Sequence, residues 1–152
     1  MAEGARETEA GPRGFVLAPP EGARIIDTGA ARWWSEGDWV CNQSYVEGVT
    51  AEQIRAGMRA ALELSGGRKV PLLAESGPMS RSTREAREVL AGPEAAAVFS
   101  AFGFVVRSPV ARTIISLFVR ISGPSVPVKM FGDADSARAW ARAWTEERRA
   151  RG

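Results

Sequence analysis

The positions of apolar side chains along the chain predict an alternation of strands and helices. Runs rich in β-branched and aromatic residues at 24–35 and 39–46 flank a Gly/Asp turn, which predicts a β-hairpin. Short apolar runs at 69–75, about 101–107 and 128–131 predict three further strands. Helical periodicity fills the intervals, and strands that alternate with helices are parallel with right-handed crossovers. The predicted fold class is therefore α/β, with a mixed sheet, an antiparallel N-terminal hairpin, then parallel βα units and flanking helices.

Capping residues mark where the longer helices begin. Thr50 opens a T-x-x-Q capping box, Ser80 or Ser82 can cap the next helix, Ser108 stands before a proline, and Asp133 precedes the last helix. Apolar positions on the inner faces of these elements define an expected core of Ile54, Leu62, Leu72, Val89, Leu90, Val105, Phe118, Phe131 and Trp140.

The ends of the chain differ from its centre in composition. Residues 1–13 contain three glutamates and no apolar core, which predicts a disordered tail and excludes a signal peptide. A single domain is expected over 14–147, followed by a basic tail at 148–152. The longest stretch without a charged residue, 95–106, is far shorter than the ~20 residues of a membrane span. We therefore expect a cytoplasmic protein with no transmembrane segment.

Composition narrows the possible chemistry. The chain has no histidine and one cysteine, Cys41, so neither an intrachain disulfide nor the usual metal ligand set can form. No nucleophile–base pair is evident, which predicts a protein that is not an enzyme and needs no cofactor or metal. The net charge is only +2, although 18 of the 20 basic residues are arginine, and no nucleic-acid partner is expected.

The most apolar helical segment is SPVARTIISLFVR, residues 108–120. Ile114, Leu117, Phe118 and Ile121 form a stripe wide enough to cover a sheet, and Val110 lies on the same side one turn earlier. Ile115 and Val119 widen this stripe. They are either covered by a neighbouring helix or exposed to a partner. The candidate interface consists of Arg112, Ile115, Val119 and Arg120.

The junction between the central strand and the next helix carries hydroxyl groups and arginines. Ligands of open α/β sheets collect at the C-terminal ends of the strands. The residues that make a candidate anion site or phosphorylation site here are Ser80, Arg81, Ser82, Thr83 and Arg84. Plain helix capping with exposed arginines is the alternative interpretation.

Three segments, LLAESGPMSRSTREAREVLAG, FGFVVRSPVARTIISLFVR and PVKMFGDADSARAWARAW, resemble the small bacterial STAS-type domains of the SpoIIAA-like branch. These domains are grouped with the anti-sigma-factor antagonists and, more remotely, with CRAL-TRIO lipid-binding domains. The resemblance covers about residues 23–145 and implies a regulatory or binding role without catalysis. It also implies a phosphorylatable serine after the central strand, where Ser80 and Ser82 are nearest. The family's D-S-S-G-L-G-like motif reads E-S-G-P-M-S-R-S here.

Two functions follow as expectations. The first is a regulatory or binding module that acts through protein–protein contact, as a homodimer or with another protein. The alternative is a carrier of a small apolar ligand or lipid, which would lie between the helix at 109–121 and the sheet. A chain this short is expected to leave little room for such a ligand.

Overall fold

The computed structural model describes residues 14–77 and 81–152. Ser80 and the tail at 1–13 lie outside the described residues. The strands are β1 (Ile26–Asp27), β2 (Ala31–Glu36), β3 (Trp39–Ser44), β4 (Gly48–Val49), β5 (Val70–Ser76), β6 (Arg81–Ser82), β7 (Phe99–Val105) and β8 (Val128–Phe131). The helices are α1 (Ala51–Ser65), α2 (Arg84–Ala91), α3 (Pro93–Val98), α4 (Pro109–Ser122) and α5 (Ala134–Arg151).

A six-stranded mixed sheet in the order β1-β2-β3-β5-β7-β8 forms the centre of the domain. β1, β2 and β3 pair antiparallel, whereas β3, β5, β7 and β8 pair parallel. β4 and β6 form a separate two-stranded parallel ladder. The predicted α/β fold with an antiparallel start and parallel later strands is confirmed.

The predicted hairpin is present, but its first strand is interrupted. β2 and β3 are joined at Gly37, whose φ of +67° suits a tight turn. The prediction of one strand over 24–35 is wrong, because the chain turns between β1 and β2. There the amide of Gly29, at φ +89°, donates a hydrogen bond of 2.8 Å to Oδ1 of Asp27.

Successive strand residues point to opposite faces of the sheet, and this period of two creates two separate cores. On one face Trp33 and Leu72 pack with α1 and α3. On the other face Trp34 and Leu73 pack with α5. Both faces of the sheet are therefore covered, as parallel strands require.

Most predicted caps are confirmed, and one is corrected. Thr50 forms the full capping box with Gln53, and Ser108 and Asp133 cap α4 and α5. Thr83 caps α2, in place of Ser80 or Ser82, and its side chain accepts from the amide of Ala86. Ser82 lies instead in β6, where it pairs with β4.

The last helix is longer than the sequence indicated. α5 continues through Arg151, so residues 148–151, predicted to be a tail, form its final turn. Arg149 pairs with Asp38 in the hairpin turn, and Arg151 pairs with Glu147 four residues earlier. These contacts extend the helix beyond its apolar positions.

The predicted core is confirmed in part. Leu72, Val105 and Phe118 are buried. The half-buried members at its margin are Ile54, Val89, Leu90, Phe131 and Trp140. The prediction that Leu62 belongs to the core is wrong, because 36% of its surface is exposed. Each step of four residues turns a helix about 40° past a full turn, so Leu62 rotates away from the face that Ile54 and Met58 present.

An extended N-terminal strap, defined as residues 14–20, crosses the α5 face of the sheet. Side chains of the domain hold its backbone: the carboxylate of Glu75 accepts from the amides of Val16 and Leu17, and Arg138 donates to the carbonyl of Ala18. The Leu17 side chain is fully buried with the Trp34 core. Burial raises the pKa of Glu75, although the two amides oppose the rise.

Candidate functional site

Helix α4 presents most of its apolar surface to solvent. The prediction that Ile114, Leu117 and Ile121 face the core is wrong, since 46%, 45% and 77% of their surfaces are exposed. Phe118 is the one buried residue of the helix. We call Val110, Ile114, Leu117 and Ile121, which recur at helical spacing, the outer stripe of α4.

The inward side of α4 is a different set of residues. Ala111, Ile115 and Ser122 are half-buried and lie on the same side as Phe118. This side includes an alanine and a serine, so it is less apolar than the outer stripe. The helix is fixed at its C-terminal end by Ser125, which donates through its amide and hydroxyl to the carbonyl of Ala91.

A cleft of about 180 Å³ lies beneath α4, between this helix, α1, α2 and the sheet. We call it the α4 cleft. Its lining includes Ser44 and Ser76, which are register partners at the C-terminal ends of β3 and β5. We call this end of the cleft its mouth. Ile115 and Phe118 contribute the α4 wall, together with Ile114, which borders both the cleft and the outer stripe. Leu72, Ala74 and Phe104 contribute the sheet wall. The strand ends thus form the mouth of the site, as expected for an open α/β sheet.

Aromatic rings dominate the deep part of the cleft. Trp33 stacks on Phe99 with ring centroids 6.2 Å apart and 11° between the ring planes. Gly57 of α1 makes room for the indole, because a Cβ atom there would lie 2.3 Å from Cζ2 of Trp33. The position of Trp33 therefore depends on a helix residue without a side chain.

Two buried polar atoms of the lining have no hydrogen-bond partner among the described residues. They are Nε1 of Trp33, a donor, and Oδ1 of Asn42, an acceptor. The two residues are direct cross-strand partners in β2 and β3. Buried polar groups are normally paired, and leaving one unpaired costs ~1–3 kcal/mol. Asn42 therefore places a polar side chain beside Trp33 in an otherwise largely apolar sheet wall of the cleft.

Among the described residues, the charged members of the lining are Arg81 and Arg87, with no carboxylate beside them. Arg87 donates from Nη1 to the carbonyl of Ser82, which also lines the cleft. Neither arginine takes part in an ion pair within the described ranges 14–77 and 81–152. The mouth of the cleft is therefore cationic.

The five residues of the predicted anion site separate into different roles. Arg81 and Ser82 line the cleft. Thr83 caps α2, and Arg84 forms a 3.0 Å ion pair with Glu88 on the helix surface. Ser80 lies outside the described residues. Phosphorylation of the hydroxyl residues remains a prediction.

The candidate interface is also divided by the structure. Ile115 is half-buried and lines the cleft, unlike the exposed residues of the outer stripe. Val119 is 38% exposed, and Arg112 and Arg120 are exposed. The exposed apolar surface of α4 is the outer stripe, on the side that the sequence assigned to the core.

Cys41, the one cysteine of the chain, is buried. Burial raises the pKa of the Cys41 thiol well above its ordinary value, which keeps it protonated and unreactive. Within residues 14–77 and 81–152, no three metal-binding side chains come together, and no helix is long and apolar enough to cross a bilayer. A depression of about 360 Å³ lies between α1, α2 and α3, but its Arg55 and Glu94 side chains bind each other at 2.9 Å.

A family profile described as a domain of unknown function, DUF7793, matches residues 34–145. The chain belongs to this family. The matched range includes β3, β5, β7 and α4, and hence nearly all of the cleft. Comparison with curated proteins and with solved structures gave no significant match.

Sequence reasoning missed two residues that define the cleft of this DUF7793 domain. The sequence pattern places Trp33 and Asn42 only within a hairpin, although their position opposite each other follows from the two-residue turn at Gly37 and Asp38. An asparagine among apolar strand residues is a signal of a polar atom in the core. The missing partner of that atom could be seen only in three dimensions.

Proposed function

We propose that this DUF7793 domain is a non-catalytic binding module, and that its working site is the α4 cleft. The observation that carries the proposal is a cleft lined largely by apolar and aromatic side chains, with the polar side chain of Asn42 beside Trp33 in its sheet wall. The ligand is small, because an apolar cavity of ~150 Å³ holds one benzene ring. The size and lining of the cleft therefore favour a carrier of a small ligand over a module that acts through protein–protein contact.

Binding of an apolar probe tests this proposal. We expect benzene to shift the indole N–H resonance of Trp33 in a two-dimensional NMR titration, since that residue lines the cleft. Ala111→Phe should abolish the shift, because Ala111 lines the same cleft from α4. Ala139→Phe is the matched control, since Ala139 is exposed on α5 and does not line the cleft.

Native mass spectrometry of the purified protein adds an independent readout. A co-purified small molecule that Ala111→Phe removes and Ala139→Phe retains would identify the natural ligand. The proposal is wrong if benzene leaves the Trp33 resonance unchanged and no molecule co-purifies.

A second candidate function is contact with a second copy of the chain through α4. The outer stripe supports it, because four apolar side chains are exposed along three turns of one helix. A twofold contact needs only one self-complementary patch. The same mass spectra test this candidate, since a monomer at every protein concentration would contradict it.

A further inference from the structure

The charge of the α4 cleft indicates what kind of small molecule it accepts; this inference rests on the proposed function. The whole chain is nearly balanced, with 20 basic and 18 acidic residues. The lining of the cleft departs from that balance, because its charged members are two arginines. A neutral apolar ligand would form no ion pair or hydrogen bond with these two guanidinium groups.

Local contacts leave these two arginines available to a ligand. Arg84, only three residues from each of them, is engaged by Glu88 at 3.0 Å. Arg87 is half-buried and fixed by its hydrogen bond to the Ser82 carbonyl, which accepts one of its five N–H donors. Arg81 is exposed and lines the cleft from β6. Guanidinium groups bind carboxylates through paired, charge-assisted hydrogen bonds.

The interior of the cleft selects the other end of the ligand. Trp33, Phe99, Phe104 and Phe118 all line it, so a flat ring finds aromatic partners on several sides. The volume of about 180 Å³ accommodates one ring and a short substituent. Hydroxyl groups of Ser76 and Ser82 add hydrogen-bonding capacity among the lining residues.

We infer that the ligand is a small aromatic carboxylic acid. Its ring lies among the aromatic side chains beneath α4, and its carboxylate is bound by Arg81 and Arg87 at the mouth. The arginines provide selectivity for the acid over a neutral molecule of the same shape.

Phenylacetate and phenylacetamide test the inference, because they share ring and size and differ in charge. NMR titration of the full chain, followed at the Trp33 indole N–H, gives a dissociation constant for each. We expect phenylacetate to bind about tenfold more tightly, as charge-assisted hydrogen bonds contribute more than neutral ones. The ratio should fall as salt concentration rises, because the arginine at the mouth is exposed.

Matched substitutions test whether Arg81 and Arg87 cause the difference between the dissociation constants of phenylacetate and phenylacetamide. In the double variant Arg81→Gln, Arg87→Gln, phenylacetate should bind more weakly while the affinity for phenylacetamide stays the same. The two dissociation constants should therefore become similar. Arg84→Gln removes the same charge from the neighbouring position outside the cleft and should leave the ratio unchanged. If loss of Arg87 impairs folding, Arg81→Gln alone should still lower the ratio, since Arg81 is exposed and its side chain forms no ion pair with another described residue.

The outcomes separate this inference from the proposed function. Equal affinity for acid and amide in the unmodified protein, or a ratio that survives Arg81→Gln, overturns the inference while the cleft remains a binding site. Failure of both probes and of benzene to bind overturns the proposed function together with the inference.

Discussion

Leu72 is the side chain of the central strand that we expect to contribute strongly to the stability of the domain. It is buried in β5, which is flanked by β3 and β7. We expect Leu72→Ala to lower the free energy of unfolding by ~2–5 kcal/mol, through lost burial and a larger cavity. Leu62→Ala is the control and should cost under ~1 kcal/mol, because Leu62 is partly exposed on α1. Urea denaturation measures both; a cost below ~1 kcal/mol for Leu72→Ala would contradict the central position of its side chain.

Glu36 and Arg138 form the least exposed ion pair among the described residues, with an N–O distance of 2.8 Å. Burial opposes the charge of Glu36, but hydrogen bonds from Arg138 and Trp34 hold the pKa of its carboxyl below the ordinary value. A carboxyl with a lowered native pKa stabilises the fold above its ordinary pKa of 4.5, and this stabilisation is lost as the pH falls through the native pKa.

Arg138→Met should therefore destabilise the protein most at neutral pH. We expect a loss of ~2–4 kcal/mol at pH 7, because a largely buried carboxylate is left without its partner. The difference from the unmodified protein should shrink in acid, where Glu36 is protonated in both. Arg149→Met, which breaks an exposed pair with Asp38, should cost ~0–1 kcal/mol. A pH-independent loss for Arg138→Met in denaturation series would show that packing, not charge, dominates.

At the scale of single elements, sequence reasoning succeeded where the cause was local. The capping box at Thr50 and the Ser108 and Asp133 caps depend on residues within one helical turn, and all are present. The orientation of α4 could not be predicted in this way. Apolar residues occur on two sides of that helix, and Ala111 and Ser122 face inward beside Phe118 because the helix stands over a cleft.

The orientation of α4 leads to a prediction for its outer stripe. Leu117→Ser with Ile121→Ser should change the free energy of unfolding by less than ~1 kcal/mol per residue, since both side chains are exposed. Phe118→Ala should cost ~3–5 kcal/mol, because Phe118 is the buried contact of the helix.

Sedimentation velocity over a concentration series extends this test to self-association. The serine double variant should weaken any dimer that the unmodified chain forms, whereas Val119→Ser, on another side of α4, should not. A double variant that unfolds would show that the outer stripe packs against the domain.

At the scale of the whole molecule, the sequence predicted the order of elements and the strand directions, because each depends on periodicity and chain connectivity. It did not predict the N-terminal strap. The strap contains no periodic run, and its docking residues Glu75, Arg107 and Arg138 lie far away in sequence. The sequence did indicate a possible ligand position between the helix at 109–121 and the sheet. It could not predict the size or the lining of the cleft found there, because both depend on how separate elements pack.

Leu17 and Val16 provide a matched pair for testing the strap. Leu17 is fully buried, while Val16 is 36% exposed on the neighbouring position. We expect Leu17→Ala to lower the free energy of unfolding by ~2–4 kcal/mol and Val16→Ala by under ~1 kcal/mol. Thermal denaturation followed by near-ultraviolet circular dichroism checks both. If both substitutions lower the free energy of unfolding by under ~1 kcal/mol, the burial of Leu17 on the α5 face does not stabilise the domain.

The strap also has a consequence for the order in which the chain can assemble during synthesis. Leu17 leaves the ribosome early, but its Glu75 acceptor is 58 residues further along the chain. The Arg138 donor to Ala18 is 120 residues away. The first described segment to be made is therefore among the last to dock, and until then Trp34 and its neighbours stay uncovered on the nascent chain. A chaperone that shields apolar surface at the ribosome would therefore have a target on this face until the strap docks.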